Sequence, residues 1–170
     1  MRYLNLASGT DVRDPPWVNL DAVAWPLARR PPDVIWEAHQ PIPFPDESVD
    51  GVYAGYLFLH VEPGCHAGLL AEIRRVMRRG AWLLVGEVDM AVLLPRWLAD
   101  PSDKYLSGLV WGEQGDVHGA DLAQWDKHNQ GFTEASLRAF LASGGFRDAE
   151  RVQLHDKGVW YELSLATRKE

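Results

Sequence analysis

Two short motifs near the N-terminus contain the residue types of a nucleoside-binding site. LNLASG runs from Leu4 to Gly9, and VNLD runs from Val18 to Asp21. In doubly wound α/β proteins, small residues after a strand let a ligand approach the backbone, and an acid ending the next strand binds ribose hydroxyls. The alternative roles of Asp21 are those of any strand-end acid, closing a turn or capping a helix. The pair of motifs predicts nucleoside binding.

The spacing of these motifs argues against a dinucleotide. Only eleven residues separate Gly9 from Asp21, and they include Pro15 and Pro16, whereas the dinucleotide fingerprint places its acid about 20 residues after the glycines. A pyrophosphate is held by the N-terminus of the helix in this connection. Because the connection is too short for a full crossover helix, a nicotinamide-dependent oxidoreductase is disfavoured.

The apolar pattern predicts the elements that position these motifs. Helical spacing of apolar residues runs from Leu69 to Met77, with arginines continuing to Arg79 and Gly80 as the stop. A second helix begins after Thr133 as N-cap and ends at Gly144 and Gly145. Buried strands are predicted at 2–6, 17–20, 34–37, 50–57, 81–88 and 159–166. The predicted fold is α/β, a trimmed, Rossmann-like, mostly parallel sheet whose first crossovers are shortened.

The long segment from Asp89 to Gly131 shows no clear period and is rich in aromatic residues. Because the first three strands have short connections, one side of the sheet is expected to be thinly covered, and apolar surface is rarely left bare. Either this segment or a second copy of the chain covers it. We therefore predict one domain over residues 1–170, a lid or insertion at about 89–131, and a homodimer.

Composition limits the partners and the compartment. The 170 residues carry a formal net charge of −7, which disfavours nucleic acid as a partner. No apolar run approaches the length of a membrane span, so no membrane association is expected. Cys65 is the only cysteine, and a lone thiol suits the reducing cytoplasm. No metal site is predicted, because the histidines and acids lack ligand spacing.

The order of motifs resembles class I S-adenosylmethionine-dependent methyltransferases, and more narrowly a short bacterial and phage group of predicted methyltransferases. The matching segments, in order, are LNLASG, VNLD, PIPFPDESVDGVYAGYLFLHV, LLAEIRRVMRRGAWLLVGEVDM and HNQGFTEASLRAFLASGGF. Together they cover nearly the whole chain. The resemblance implies S-adenosylmethionine as cofactor and leaves the methyl acceptor open.

The resemblance also implies site residues. Asp21 would bind the ribose and Glu37 the adenine amino group, although Glu37 can equally be a solvated charge. The residues assigned to the cofactor are Asn5, Ala7, Ser8, Gly9, Asp21, Glu37, Ala38, Tyr53, Ala54 and Gly55. The sequence departs from the group at Ala7, where a glycine is usual, at Leu59, where the group has a Glu, and at Arg78–Ala81, which replaces Lys-Pro-Gly-Gly.

Histidines and tryptophans are the candidates for the acceptor side. His60 and His128 could take a proton from the acceptor, since histidine titrates near neutrality; their alternative role is structural hydrogen bonding. Trp111 and His118 are assigned to acceptor binding. Trp97, Trp111 and Trp125 are equally suited to packing. The arginines at 74–79 are interpreted as a solvated helix face rather than a phosphate site.

The function predicted from these residues is methyl transfer from S-adenosylmethionine to an unidentified small-molecule acceptor. Such transfer requires little acid–base or nucleophilic chemistry from side chains, because holding the nucleophile in line with the methyl group supplies most of the catalysis. The alternative is a catalytically inactive protein of the same fold that binds the cofactor or acts as a scaffold. The trimmed first half and Leu59 motivate that alternative.

Overall fold

In the described part of the chain, seven strands form one sheet with the order β3-β2-β1-β4-β5-β7-β6. The structure is a computed structural model that describes residues 1–112, 122–153 and 161–170. Strands β1 to β5 are parallel, and β7 runs antiparallel between β5 and β6. The strands are β1 Tyr3–Leu6, β2 Trp17–Asp21, β3 Val34–Ile35, β4 Val49–Gly55, β5 Met77–Val88, β6 Glu150–Val152 and β7 Glu162–Arg168.

The predicted fold class is confirmed. The first three connections contain no helix, as the short spacings and prolines predict. The final strand begins later than expected, at Glu162, and Val159 lies outside the described residues. Strand β6 was not predicted, because it has only three residues, none of them buried, and therefore shows no apolar pattern.

The first helix, α1 His66–Val76, is shorter than predicted. Its apolar stripe ends at Val76, and the expected continuation through Arg79 to a stop at Gly80 was wrong, because β5 begins at Met77. The loop before β4 explains the early end: the Glu47 and Ser48 amides donate to the Arg75 and Val76 carbonyls at 3.0 and 2.8 Å. A helix needs those carbonyls for its next turn.

The aromatic segment after β5 is largely helical where it is described, contrary to its lack of period. It contains α2 Met90–Ala99, α3 Lys104–Trp111 and the single turn α4 Ala123–Asp126. Asp89 and Asp103 cap the first two, each accepting a backbone N–H. The pattern was missed because α2 is apolar on almost every side, so it shows no single stripe.

The main core lies between the sheet and the pair α1 and α5. Helix α5, Glu134–Ser143, starts at the predicted N-cap Thr133 with a reciprocal capping box. Arg74 of α1 donates to the Gly145 carbonyl at 3.3 Å, so both helices lie on the same side of the sheet. The strands contribute to this core buried residues such as Leu4, Leu6, Leu20, Val52, Ala54, Leu83 and Val85, and the two helices contribute Ile73 and Leu141.

The opposite side of the sheet is covered by its own aromatic side chains. Tyr3 and Trp17 lie on the neighbouring strands β1 and β2, and Trp82 of β5 reaches them across Gly51 of β4, with ring centroids 5.3 to 5.9 Å apart. The Arg13 guanidinium lies over the rings of Trp17 and Tyr53, at 4.7 and 4.0 Å. Tilted and edge-to-face ring contacts, together with cation–π contacts, replace helix packing on the side where the crossovers are short.

Candidate functional site

A cleft of about 1110 Å³ opens at the carboxyl ends of the parallel strands. Ligands of open α/β sheets bind at this edge, and the volume exceeds what one drug-sized ligand needs. Its walls come from the ends of β1 and β4, from the loops after β1, β2, β3 and β4, and from α4 with the chain that follows it. The lining residues are Asn5, Ala7–Asp11, Asp21, Ala22, Trp25, Trp36–His39, Tyr53, Gly55–Leu57, His60–Glu62, Cys65, Gln124–Lys127 and Asn129.

Buried amides hold the connection between β1 and β2 where a crossover helix is missing. The Asn5 amide donates to the Asn19 side-chain oxygen at 3.0 Å and to the Asp11 carbonyl at 2.7 Å. Asn19 in turn donates to the Arg13 carbonyl and to the Asp33 carboxylate. Asn5, predicted to bind the cofactor, lines the cleft, and the structure adds this loop-holding role.

The small residues after β1 form the turn that the motif predicts. Ala7 and Gly9 both have left-handed backbone angles, with φ of 51° and 52°. For an alanine that conformation costs about 1–2 kcal/mol, which accounts for the glycine usual at this position. The hydroxyl of Ser8 is buried without a hydrogen-bond partner and belongs to the cleft wall. An orphaned hydroxyl beside a small-residue turn fits a polar ligand at this point.

The carboxylate of Asp21 joins the ends of β1 and β2. One oxygen accepts the Gly9 amide at 2.7 Å, and the other accepts the Val23 amide and the Trp25 indole N–H at 3.2 and 3.0 Å. Burial raises the pKa of Asp21, while these three hydrogen bonds work in the opposite direction. The side chain still reaches the cleft wall. Both roles considered for Asp21 in the sequence analysis are therefore compatible with its position: its carboxylate closes a turn, and its side chain can face a ligand.

Most of the remaining cofactor candidates meet in the same cleft. Glu37 and Ala38 line it after β3, and the Glu37 carboxylate lies 3.4 Å from His39. Tyr53 and Gly55 line it from β4; a side chain at Gly55 would collide with the Tyr53 hydroxyl unless the Tyr53 side chain shifted. Ala54 is fully buried in the core and is not part of the wall.

The two candidate catalytic histidines form a pair. Their ring centroids are 4.8 Å apart, and the rings meet edge to face. Only His60 lines the cleft, whereas His128 lies behind it. Asn129 connects the segments that contain the two histidines. Its backbone amide donates to the Leu59 carbonyl at 2.7 Å, and its side-chain amide donates to the His60 carbonyl at 2.6 Å.

Hydrogen bonds define the tautomer of each histidine. His60 Nδ1 lies 3.2 Å from the Lys127 carbonyl, and His128 Nδ1 lies 3.0 Å from the Leu109 carbonyl. A carbonyl only accepts, so each Nδ1 carries the proton and each neutral ring keeps Nε2 as an acceptor. Burial and the neighbouring His128 lower the pKa of His60 to about 4. Burial also lowers the pKa of His128.

Trp111, one of the two residues assigned to acceptor binding, does not line the cleft with His60. Trp111 is 50% exposed, stands against Trp97 at 5.9 Å, and is absent from the cleft wall. His118 lies outside the described residues. Trp125 lines the cleft instead, with Tyr56 and Asn129. Asn129 directly follows His128 in the HNQGFT motif, and this position was the sequence signal that could have identified Asn129 as a cleft residue.

Glu87 is a buried acid that the sequence analysis did not single out. It lies at the end of β5 and is fully buried. One oxygen accepts the amides of Phe58, at 2.9 Å, and Leu59, whereas the other has no partner. Burial raises the pKa of Glu87 to about 8, against the effect of the two amides. It anchors the loop that ends in His60.

We expect Glu87→Gln to remove a pH dependence of stability. Because the carboxyl holds its proton up to about pH 8 in the fold but releases it near its ordinary value of 4.5 when unfolded, its stabilisation is complete below pH 4.5 and is lost as the pH rises through 8. The Tm of the wild type should therefore fall relative to that of the variant between pH 5 and 9.

Thermal melts of the wild type and Glu87→Gln across that pH range measure the difference between their Tm values. Because both proteins contain His60 and His128, the contributions of these histidines cancel in that difference. Glu62→Gln, at an exposed side chain, is the matched control and should track the wild type. Parallel Tm curves for Glu87→Gln and wild type would contradict the prediction.

Within residues 1–112, 122–153 and 161–170, no cluster of three or more potential metal ligands occurs. No helix in those ranges is both long enough and apolar enough to cross a membrane.

Comparison with known proteins identifies the sequence pattern and the fold. Residues 16–85 match the sequence model of a methyltransferase domain. Among curated proteins, no match to the chain is found. Solved structures with the same fold include a Methanosarcina mazei S-adenosylmethionine-dependent methyltransferase, with a TM-score of 0.63, 18% identity, and coverage of 99% of this chain and 92% of the other.

Two further structures have the fold. One is a possible histamine N-methyltransferase from Thermotoga maritima, with a TM-score of 0.63, 17% identity and coverage of 99% and 82%. The other is the Burkholderia thailandensis 1,6-didemethyltoxoflavin-N1-methyltransferase with S-adenosylhomocysteine, with a TM-score of 0.59, 16% identity and coverage of 98% and 70%. The sequence match and the neighbours indicate S-adenosylmethionine as cofactor. The chain therefore has the fold of class I S-adenosylmethionine-dependent methyltransferases, and its residues 16–85 carry the sequence pattern of a methyltransferase domain.

Proposed function

We propose that this protein transfers the methyl group of S-adenosylmethionine to a small-molecule acceptor. The observation that carries the proposal is the single cleft that brings Gly9, Asp21, Glu37 and His60 together at the carboxyl edge of the sheet. A nucleoside cofactor without phosphate needs no helix N-terminus, and the connection between β1 and β2 has none.

The residues in the cleft fit the cofactor. We assign Asp21 to the ribose and Glu37 to the adenine, and the unpartnered hydroxyl of Ser8 to a polar group of the cofactor. Among the residues that the structure describes, five carboxylates and one lysine line the wall, namely Asp11, Asp21, Glu37, Glu62, Asp126 and Lys127. An acidic wall favours a cationic ligand and disfavours phosphate. When bound, S-adenosylmethionine supplies an already activated methyl group.

His60 is the residue we propose to face the acceptor. Its Nε2 is a free acceptor in a ring that stays neutral above about pH 4. It can accept the N–H or O–H proton of the methyl acceptor through a hydrogen bond and orient the attacking lone pair. His128 is a positioning residue, because it supports the His60 ring from behind the cleft.

We also propose a cytoplasmic location and a small acceptor, with the catalytically inactive scaffold as the alternative. The lone cysteine, Cys65, carries a free thiol, which suits a reducing compartment. Leu59 motivates the alternative, because this side chain is buried in an apolar cluster and gives the cleft no polar group where the related group has an acid.

Calorimetric titration of the purified chain with S-adenosylmethionine, S-adenosylhomocysteine and NAD tests the function. We expect saturable binding of the first two ligands and no binding of NAD, since the connection between β1 and β2 contains no helix whose N-terminus could hold a pyrophosphate. Binding of S-adenosylhomocysteine without methyl transfer to any tested acceptor would favour the inactive alternative. Absence of binding at millimolar ligand would contradict the proposal.

A further inference from the structure

One oxygen of the Asp21 carboxylate is filled by two hydrogen-bond donors. Its Oδ1 accepts the Val23 amide at 3.2 Å and the Trp25 indole N–H at 3.0 Å, whereas its Oδ2 accepts the Gly9 amide at 2.7 Å. A carboxylate offers about four acceptor positions, about two on each oxygen. Both positions of Oδ1 are therefore taken, and Oδ2 retains one.

The ribose that we assign to Asp21 needs positions on both oxygens. It carries two neighbouring hydroxyls, and an acid at this strand end binds a ribose by accepting such hydroxyls. One hydroxyl can donate to the position left on Oδ2. The other can donate to Oδ1 only when the Val23 amide or the Trp25 indole leaves that oxygen.

Of these two donors, only the Trp25 indole belongs to a side chain. The Val23 amide is part of the backbone turn that directly follows β2, so its departure would move the chain. The indole can leave by rotation about its own side-chain bonds. The loop beyond it can stay in place, because the Arg29 guanidinium donates to the Val12 carbonyl at 2.6 and 2.9 Å.

We propose that the Trp25 indole N–H holds the position of a ribose hydroxyl on Asp21, and that the indole leaves this position when the ribose of S-adenosylmethionine binds. Trp25 and Asp21 both line the cleft, so the exchange takes place where the cofactor enters. The inference rests on the proposed function, because the ribose is that of its cofactor.

The exchange has a physical purpose and a consequence for affinity. Asp21 is only 6% exposed, and a buried charge that loses a partner is strongly destabilised. A departing indole that is replaced by a hydroxyl leaves the carboxylate paired at every stage. Because the indole competes with the ribose, the affinity for the cofactor is lower than that of a site whose Oδ1 is open.

Trp25→Phe tests the proposal, with Trp97→Phe as the matched control. Phenylalanine keeps an aromatic ring in the cleft wall but removes the N–H that competes with the ribose. A hydrogen bond to a charged group that no longer has to be exchanged corresponds to about tenfold in affinity or more. In calorimetric titrations we therefore expect Trp25→Phe to bind S-adenosylhomocysteine about 10-fold more tightly than the wild type.

The control removes an equivalent indole outside the cleft wall. Trp97 is half-buried like Trp25, and its indole N–H donates to the Ser107 hydroxyl at 3.1 Å. Trp97→Phe should bind S-adenosylhomocysteine like the wild type. The Tm of each variant is measured alongside, so that a change in affinity is read only from folded protein.

The indole N–H signals in a ¹⁵N–¹H NMR spectrum give a second measurement on the wild type itself. The Trp25 signal, assigned by through-space contacts, should move when saturating S-adenosylhomocysteine takes away its charged partner. The Trp97 signal should stay in place, because its partner Ser107 is not exchanged. This measurement needs neither a variant nor a methyl acceptor.

The outcomes separate this inference from the proposed function. A folded Trp25→Phe protein that binds no more tightly than the wild type, equal tightening in Trp97→Phe, or a Trp25 signal unmoved at saturation would overturn the exchange and leave the proposed function intact. Absence of S-adenosylhomocysteine binding in both the wild type and Trp25→Phe would overturn both. Binding by Trp25→Phe alone would support both.

Discussion

Asp21→Asn should raise the dissociation constant for S-adenosylhomocysteine by about 10- to 150-fold. A hydrogen bond to a charged group contributes about 1.5–3 kcal/mol, and each 1.4 kcal/mol is tenfold in affinity. The variant removes the charge that would receive the ribose hydroxyls while keeping the shape of the side chain. Isothermal titration calorimetry of both proteins measures the change.

Asp14→Asn is the control for this prediction. Asp14 lies in the same connection between β1 and β2 and pairs with Arg29 on the surface, at 2.7 Å, but it is not part of the cleft wall. It should bind S-adenosylhomocysteine like the wild type. Because Asp21 also accepts the amides of Gly9 and Val23, the Tm of each variant is measured alongside. A folded Asp21→Asn protein with unchanged affinity would remove Asp21 from the cofactor site.

His60→Phe should lower kcat by about 100-fold for any acceptor that the protein methylates, with little change in affinity for S-adenosylhomocysteine. Loss of a group that handles the acceptor proton costs 10²–10⁴-fold, and the low pKa of His60 places it at the weak end of that range. His128→Phe should have a smaller effect, because His128 lies behind the cleft rather than in its wall.

The pH dependence supplies an independent measurement. The imidazole of His60 is active when neutral, so protonation should abolish its contribution only near pH 4. We therefore expect the titration of His60 to cause no change in kcat/KM between pH 5 and 8. An NMR titration of the ring protons gives the pKa without an acceptor. A pKa near 6.5, or a kcat within threefold of wild type for His60→Phe, would contradict the proposed role.

The sequence alone determined where the longer parallel strands lie along the chain and that the connection between the first two contains no helix. Runs of buried apolar residues define β1, β2, β4 and β5, and the spacing between Gly9 and Asp21 excludes a crossover helix. These signals are local, since strand burial and loop length follow directly from neighbouring residues. The capping of α5 by Thr133 is local in the same sense and was predicted correctly.

Contacts between distant segments decided the rest. Helix α1 ends at Val76 because the loop before β4 takes its carbonyls, a contact that no local pattern contains. The division between His60 in the cleft and His128 behind it depends on hydrogen bonds to Lys127 and Leu109. Sequence spacing can bring both histidines to one edge of the sheet, but only the packing of α3 and the chain after α4 determines which ring lines the cleft.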